Sequence, residues 1–233
     1  MQLNYSIEDT IGIITPADTP DNSLHPDTTD KCMELADFLA TPHLKAAVIF
    51  VRSNHFSRSW FTDKFCDESK SLSFKRVTEV ISFAPVPVAA VITDTCEGPD
   101  LLLALAAHFR FASDNTVFKL GTTVKDVRFS GLLKKMLNSL LSENRIAGDL
   151  TDISAEEAHR KGLIDWSGET QALENEAQKF LSRLTGKRSP QLIHTIMQSI
   201  HNASRMDIRE ALFEESRLFN IILRNRKEIY CKV

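Results

Sequence analysis

The chain has 233 residues, an apolar content of 42% and a formal net charge of −3, with a pI near 6.2. This length fits one large domain, or a core domain with a helical appendage, and the apolar content excludes global disorder. The slightly acidic balance argues against nucleic acid as a partner. The longest uninterrupted apolar run, Leu101 to Ala107, is far shorter than the ~20 residues that a membrane-spanning helix needs.

Cysteine usage and the N-terminal sequence indicate where the protein resides. The four cysteines show neither CxxC spacing nor a paired pattern, so we expect reduced thiols and no metal site. The first ten residues, MQLNYSIEDT, contain neither the basic region nor the apolar segment of a signal peptide. These features predict a cytoplasmic protein that does not enter the membrane.

Strand and helix patterns alternate along the first 85 residues. The spacing of apolar residues predicts a hairpin over 3–14, a helix over 30–39, a buried strand over 45–51 and a helix over 67–83. A loop rich in Pro, Asp and Thr separates the hairpin from the first helix. This alternation predicts an α/β fold with parallel crossover connections.

The stretch from residue 86 to residue 118 is the centre of the predicted fold. A β-branched strand, Val86 to Ile92, leads into a turn formed by Cys96 to Asp100. The apolar helical run Leu101 to Ala107 and a strand at Phe109 to Ala112 follow. A turn at a helix N-terminus presents backbone N–H groups, which suit an anion or a developing oxyanion.

Helices dominate the last third of the chain. Ser154 and Glu157 have the spacing of a capping box, in which the serine caps the helix and the glutamate reaches back to it, and Gly162 is expected to end that helix. Two long amphipathic stretches follow at 169–185 and 190–224, the second with a break near Asn202. We therefore predict a core domain over 1–168 and a helical C-terminal region over 169–233.

Four segments, taken together, resemble the crotonase superfamily, the enoyl-CoA hydratase/isomerase family. They are KAAVIFVRSNHFSRSW, PVPVAAVITDTCEGPDLLLALAAHFRFASDNTVF, ISAEEAHRKGLIDW and EESRLFNIILRNRKE. They occur in the family's order at near-family spacing, and the third is the most specific. The resemblance implies a spiral of ββα repeats with a helical C-terminal region, assembled as a homotrimer or hexamer.

The resemblance also implies a site for an acyl-CoA or acyl-carrier thioester, with no covalently bound cofactor. In this family two backbone N–H groups polarise the thioester carbonyl, and preorganised donors of this kind contribute ~3–4 kcal/mol each. The first donor position falls on Trp60. The second falls on Pro99, which has no N–H, or on Gly98 if the register shifts by one residue.

The family's two catalytic glutamates have no counterpart in this chain. Their positions fall on Leu102 and Thr122, neither of which can transfer a proton at carbon or activate water. Asp100 and Asp126 are therefore the candidates for a relocated acid or base, although a helix-dipole partner and a surface ion pair are the simpler interpretations. The aspartate of the family's Cys-Asp pair, which follows the central helix, falls on His108. We interpret His108 as a structural residue, with a catalytic role as the alternative.

Ligand contacts are predicted in the polar stretch after the buried strand. The candidates are Arg52, His55, Phe56, Arg58 and Lys64. Three of the candidates, Arg52, Arg58 and Lys64, are cationic and have the charge to bind CoA phosphates. The other two, His55 and Phe56, lie close in sequence to the first donor position.

Two hypotheses follow for the function. The first is a divergent thioester enzyme for which ordinary enoyl-CoA hydration is not expected, because hydration needs two positioned carboxylates. The second is a non-catalytic accessory or interaction subunit with the same fold.

Overall fold

A six-stranded sheet and a smaller three-stranded sheet form the framework of the protein. The computed structural model describes residues 3–16, 28–52, 68–120 and 152–230. The strands in these ranges are β1 (Leu3–Glu8), β2 (Ile11–Pro16), β3 (Ala46–Arg52), β4 (Val88–Thr93), β5 (Thr95–Glu97), β6 (Phe109–Ser113), β7 (Val117–Lys119), β8 (Ile153–Ser154) and β9 (Trp166–Gly168). The helices are α1 (Thr28–Leu39), α2 (Glu68–Ser82), α3 (Gly98–Ala106), α4 (Ala155–Arg160), α5 (Leu173–Thr185), α6 (Pro190–Arg205) and α7 (Ile208–Tyr230).

The larger sheet has the strand order β1-β2-β3-β4-β6-β9. β1 and β2 form the predicted antiparallel hairpin, and the successive pairs β2–β3, β3–β4, β4–β6 and β6–β9 are parallel. The hairpin turns at Asp9, whose φ of 55° is one that aspartate tolerates better than most residues. The predicted α/β class with parallel crossovers is confirmed.

Helices cover both faces of this sheet, which explains why β3 and β4 are continuously apolar. Alternate residues of β3 point to opposite sides: Ile49 packs in the larger core with α1, α2 and α3, whereas Val48 packs in the smaller core with α5. α5 contributes Leu173, Ala177 and Leu181, all fully buried. A strand buried on both faces shows an apolar run rather than an alternating pattern.

The smaller sheet positions α3. β5 pairs in parallel with β7, which pairs antiparallel with β8. The sequence places Cys96 to Asp100 in a turn, but in the structure β5 extends to Glu97 and α3 begins at Gly98. The difference has a physical reason: a three-residue strand is too short for a period to show, and the fixed φ of Pro99 suits the first helical turn.

The C-terminal half confirms several local predictions. Ser154 Oγ accepts the Glu157 N–H at 3.2 Å, and Gly162 has a φ of 77° just after α4. The predicted reach of Glu157 back to Ser154 is wrong: its carboxylate forms an ion pair with Lys161 at 3.0 Å instead. The break in the last helical stretch falls later than predicted, at Asp207, whose Oδ1 accepts the N–H groups of Arg209 and Glu210 in the first turn of α7. The division into domains at residue 168 stays a prediction.

α6 and α7 pack against each other and leave many large apolar side chains exposed. Within the described residues, no helix combines the length and the apolar character needed to cross a bilayer. The exposed side chains, which we call the C-terminal apolar surface, are Ile196, Ile200, Ile208, Leu212, Phe213, Phe219, Ile221 and Leu223.

Candidate functional site

The turn from β5 into α3 is the centre of the candidate site. Glu97 is extended, with φ −146° and ψ 162°, and Gly98 then adopts a φ of 55° as the first residue of α3. A side chain is strained at this φ, so the turn favours glycine at residue 98. Pro99 has no N–H group, so the backbone N–H groups in the first turn of the helix are those of Gly98, Asp100 and Leu101.

Asp100 lies in the first turn of α3 and is fully buried. A carboxylate at this position interacts favourably with the helix dipole. Its charge also acts on Cys96, another fully buried residue: burial raises the pKa of the Cys96 thiol well above its ordinary value, and the Asp100 and Glu97 carboxylates raise it further. Cys96 is therefore held as a neutral thiol and is a poor nucleophile.

The rest of α3 is apolar and enclosed. All nine of its residues are buried, and Asp100 is the one acidic residue among them. Leu102, the position to which the resemblance assigns the first family glutamate, has no exposed surface. α3 therefore provides no second carboxylate for proton transfer.

Arg52 is the one predicted ligand contact within the described residues. It is the last residue of β3 and is exposed, and its Cα partner on β4 is Thr93, the last residue of that strand. The carboxyl ends of both strands therefore meet at one edge of the sheet, and the chain runs from there through Asp94 into β5 and α3. Arg52 thus lies at the sheet edge from which the candidate turn begins.

β5, the strand that leads into the candidate turn, is paired with β7. Glu97 and Lys119 are Cα partners in this parallel pair, and their side chains form an ion pair at 3.6 Å. This ion pair joins the residue before Gly98 to the neighbouring strand and so fixes the end of β5.

Most of the predicted site residues lie outside the described residues. Three of them are described: Gly98 and Asp100 lie in the first turn of α3, and Arg52 lies at the end of β3. The roles assigned to these three stay predictions. The assignments of the other seven also stay predictions: Trp60, Thr122, Asp126, His55, Phe56, Arg58 and Lys64.

His108 lies at the other end of α3, away from the candidate turn. Its backbone N–H donates to the Val88 carbonyl at 2.9 Å, and its Nδ1 accepts the Val88 N–H at 3.1 Å. The structural interpretation of His108 is thereby supported. Within the part of the chain that is described, no group of three or more His, Cys, Asp or Glu residues could hold a metal ion.

A spiral of ββα units on two sheets, with helices at the C-terminus, defines a protein of the crotonase fold. The sequence model described as "Enoyl-CoA hydratase/isomerase" matches residues 6–228. The chain therefore belongs to the enoyl-CoA hydratase/isomerase family.

One curated relative is the glyoxysomal fatty acid beta-oxidation multifunctional protein MFP-a of Cucumis sativus. It is 25% identical over 246 aligned positions, which cover 95% of this chain and 31% of the relative. The chain thus spans about a third of that protein's length.

Solved structures of the same fold extend over almost the whole chain. DspI of Pseudomonas aeruginosa superposes with a TM-score of 0.77 at 20% identity and covers 95% of each chain. The enoyl-CoA hydratase of Mycobacterium smegmatis gives 0.74 at 14% identity, with 95% of this chain and 90% of that chain covered. These similarities confirm the predicted fold.

Proposed function

We propose that this protein binds an acyl-CoA or acyl-carrier thioester at the N-terminus of α3 and polarises its carbonyl without hydrating an enoyl chain. The observation that carries the proposal is the make-up of α3. The helix begins at a glycine with a φ of 55°, has one carboxylate in its first turn and is apolar beyond it. Family membership supplies the thioester as the ligand class.

Polarisation depends on N–H groups at a helix end. When a thioester is converted to an enolate, negative charge builds on the carbonyl oxygen, and preorganised N–H donors with the helix dipole stabilise it. We assign one donor to Gly98, because it is the residue at which α3 begins and Pro99 has no N–H to offer. The other donor is assigned to Trp60, from the resemblance.

Hydration is not expected, because it needs two carboxylates with different tasks. One activates water and the other delivers a proton to carbon. In α3, Asp100 is the one carboxylate, and it is buried beside Cys96. Double-bond isomerisation, decarboxylation and thioester hydrolysis need fewer such groups. In any of these reactions Asp100 or Asp126 would be the acid or base.

The CoA moiety would be held by the polar stretch that follows β3. Arg52 begins this stretch at the sheet edge next to the candidate turn, and guanidinium groups suit phosphate recognition. We propose the same role for Arg58 and Lys64. The buried residues Cys32 and Cys96 are not joined in a disulfide, which fits the reducing cytoplasm that we propose as the location.

A second candidate, a non-catalytic accessory subunit, is favoured by the C-terminal apolar surface. Phe213 is 70% exposed and Ile208 is 77% exposed. Large exposed apolar patches mark protein–protein contacts. We propose that a homotrimer or hexamer covers this surface, and in the accessory case a partner enzyme would cover it instead.

A pair of glycine variants tests the thioester site. Gly98 and Gly162 both have positive φ, so alanine strains the backbone at both, and an added Cβ at Gly162 meets no atom within 4 Å. Calorimetric titration with an acyl-CoA should show micromolar binding to the wild type. Gly98→Ala should weaken binding roughly tenfold or more, because the donor is displaced.

The control variant is Gly162→Ala, which should bind the acyl-CoA like the wild type. Equal loss in both variants would mean that the effect is one of stability, and the assignment of Gly98 would then be wrong. Absence of binding to any thioester by the wild type would contradict the proposed function and leave the accessory role as the better account.

A further inference from the structure

Two histidines connect α6 to the core, well away from the candidate thioester site. His108 follows α3, and His201 lies in the last turns of α6. Their rings are stacked, with centroids 6.0 Å apart and an angle of 28° between the planes. We call this pair the histidine contact.

Side chains from the end of α2 and from the end of α6 surround the histidine contact. The ring of Phe83, which follows α2, meets His201 edge-on, with centroids 5.3 Å apart. The Arg205 guanidinium lies 3.4 Å from the centroid of Phe83 and forms an ion pair with Glu79 at 3.7 Å. The end of α6 is thus held on the core by aromatic and cation–π contacts.

The hydrogen bonds of His108 require the neutral ring. Its Nδ1 accepts the Val88 N–H, so in the neutral imidazole the proton lies on Nε2. A second proton would have to go on Nδ1, where it would face the Val88 N–H, a donor against a donor. Protonation of His108 therefore breaks this hydrogen bond.

The surroundings of both rings also oppose positive charge. The Nε2 atoms of His108 and His201 are buried, and that of His201 has no hydrogen-bond partner among the described residues. Arg110 acts on His108 from β6, and Arg205 acts on His201 from α6. Two carboxylates lie near these cations: Glu79 is paired with Arg205 at 3.7 Å, and Asp165 is paired with Arg110 at 3.7 Å. Arg188, which lines the cavity next to His108, adds a further cation on this side.

The directions of the pKa shifts agree with this geometry. Burial, with smaller contributions from His201 and Arg110, lowers the pKa of His108 to about 4, and a hydrogen bond to the Ser82 backbone opposes the shift. Burial also lowers the pKa of His201, with a contribution from Arg205.

We propose that the histidine contact is a pH-sensitive latch, which holds the end of α6 on the core while both rings are neutral and releases it on acidification. When α6 lifts away, the His201 ring becomes hydrated and regains ordinary affinity for protons, near pKa 6.5, whereas His108 loses the cover of α6 but keeps its hydrogen bond to Val88. The released form then binds more protons than the docked form at any pH below about 6.5. Release therefore becomes more favourable as the pH falls through that value.

Hydrogen–deuterium exchange of residues 194–205 tests the latch, measured on the full chain at pH 7.5 and pH 5.0 and corrected for intrinsic exchange. In the wild type the opening constant of this segment should rise roughly tenfold or more at the lower pH. His201→Phe keeps an aromatic ring against Phe83 and should show a smaller rise. In the double variant His108→Gln/His201→Phe, the rise should be absent.

Two other histidines serve as controls. His159, on α4, is exposed, and His159→Gln should keep the full response. His194 lies two turns before His201 on α6, and its buried Nε2 is likewise without a hydrogen-bond partner in the described parts of the chain. His194→Gln should leave the response of the last turn, residues 201–205, intact.

Three outcomes would overturn the latch. The first is equal opening of the wild type at both pH values. The second is a full response in the double variant, or in His201→Phe alone if the double variant fails to fold. The third is loss of the response in His159→Gln. None of these outcomes bears on thioester binding, so the latch and the proposed function are tested separately.

Discussion

Val88 and His108 exchange two hydrogen bonds, one to the backbone and one to the side chain. The His108 N–H donates to the Val88 carbonyl at 2.9 Å, and the Val88 N–H donates to His108 Nδ1 at 3.1 Å. The imidazole thereby pairs the N–H of the first residue of β4, just beyond the β4–β6 ladder. Imidazole is commonly a catalytic base, but here one ring nitrogen is occupied by the backbone.

Stability should depend on pH through His108. At pH 5 the unfolded chain binds a proton at this residue, whereas the folded chain, with a pKa of about 4, does not. The free energy of unfolding should therefore be fully retained above pH 6.5 and fall by about 3 kcal/mol as the pH is lowered to 4. Urea unfolding of wild type and His108→Gln at several pH values measures this, and a parallel fall in both would contradict it.

Arg110 should be among the residues whose loss costs the most stability. It is 5% exposed, and it donates from Nε to the Leu163 carbonyl at 2.6 Å and from a terminal nitrogen to the Ala107 carbonyl at 2.8 Å. Arg110→Ala leaves both carbonyls without their donors and should destabilise the protein by about 3 kcal/mol. The exposed Arg160, paired with Glu157 at 3.7 Å, is the control, and Arg160→Ala should cost less than about 1 kcal/mol.

A glutamate restored at residue 102 should not restore hydration. Leu102 is fully buried, so Leu102→Glu places a carboxyl group among apolar side chains and should cost about 3 kcal/mol or more. Leu102→Met keeps volume and polarity and should cost less than about 1.5 kcal/mol. A stable Leu102→Glu protein that hydrates crotonyl-CoA would show that this position faces an open site.

Assembly should depend on the C-terminal apolar surface. Phe213 is 70% exposed on α7, and Phe213→Glu places a charge within the proposed subunit contact. The wild type should have a trimeric or hexameric mass at micromolar concentration, and Phe213→Glu should have a lower one. Glu210→Lys changes the charge at an already exposed polar position and should leave the mass unchanged. A monomeric wild type would refute the assembly.

The sequence is sufficient to predict the fold and the main strands, because runs such as Ala46 to Val51 are apolar at every position. Such runs are typical of parallel strands buried on both faces, and the structure confirms β3 and β4 in these places. It is less informative about β5, since the three residues Thr95 to Glu97 form a strand only through pairing with β7. That pairing is a tertiary contact, which no local pattern records.

The site is predicted in part. Gly98 and Pro99 mark the start of α3 by their backbone preferences, and these are readable from sequence. The full burial of Asp100 beside Cys96 cannot be predicted from the sequence, because it depends on how α3 packs between the two sheets. The histidine contact joins residues 93 positions apart in the chain, and His108 carries no local signal of its partner.

Binding of an enoyl thioester and its hydration can be measured in one experiment. Crotonyl-CoA is titrated into the protein by calorimetry, and the same mixture is followed for loss of the enoyl absorbance. We expect micromolar binding and hydration that cannot be detected above the uncatalysed background. Hydration within about tenfold of the rate of an ordinary family hydratase, or the absence of any binding, would show that the protein is not a thioester binder without hydratase activity.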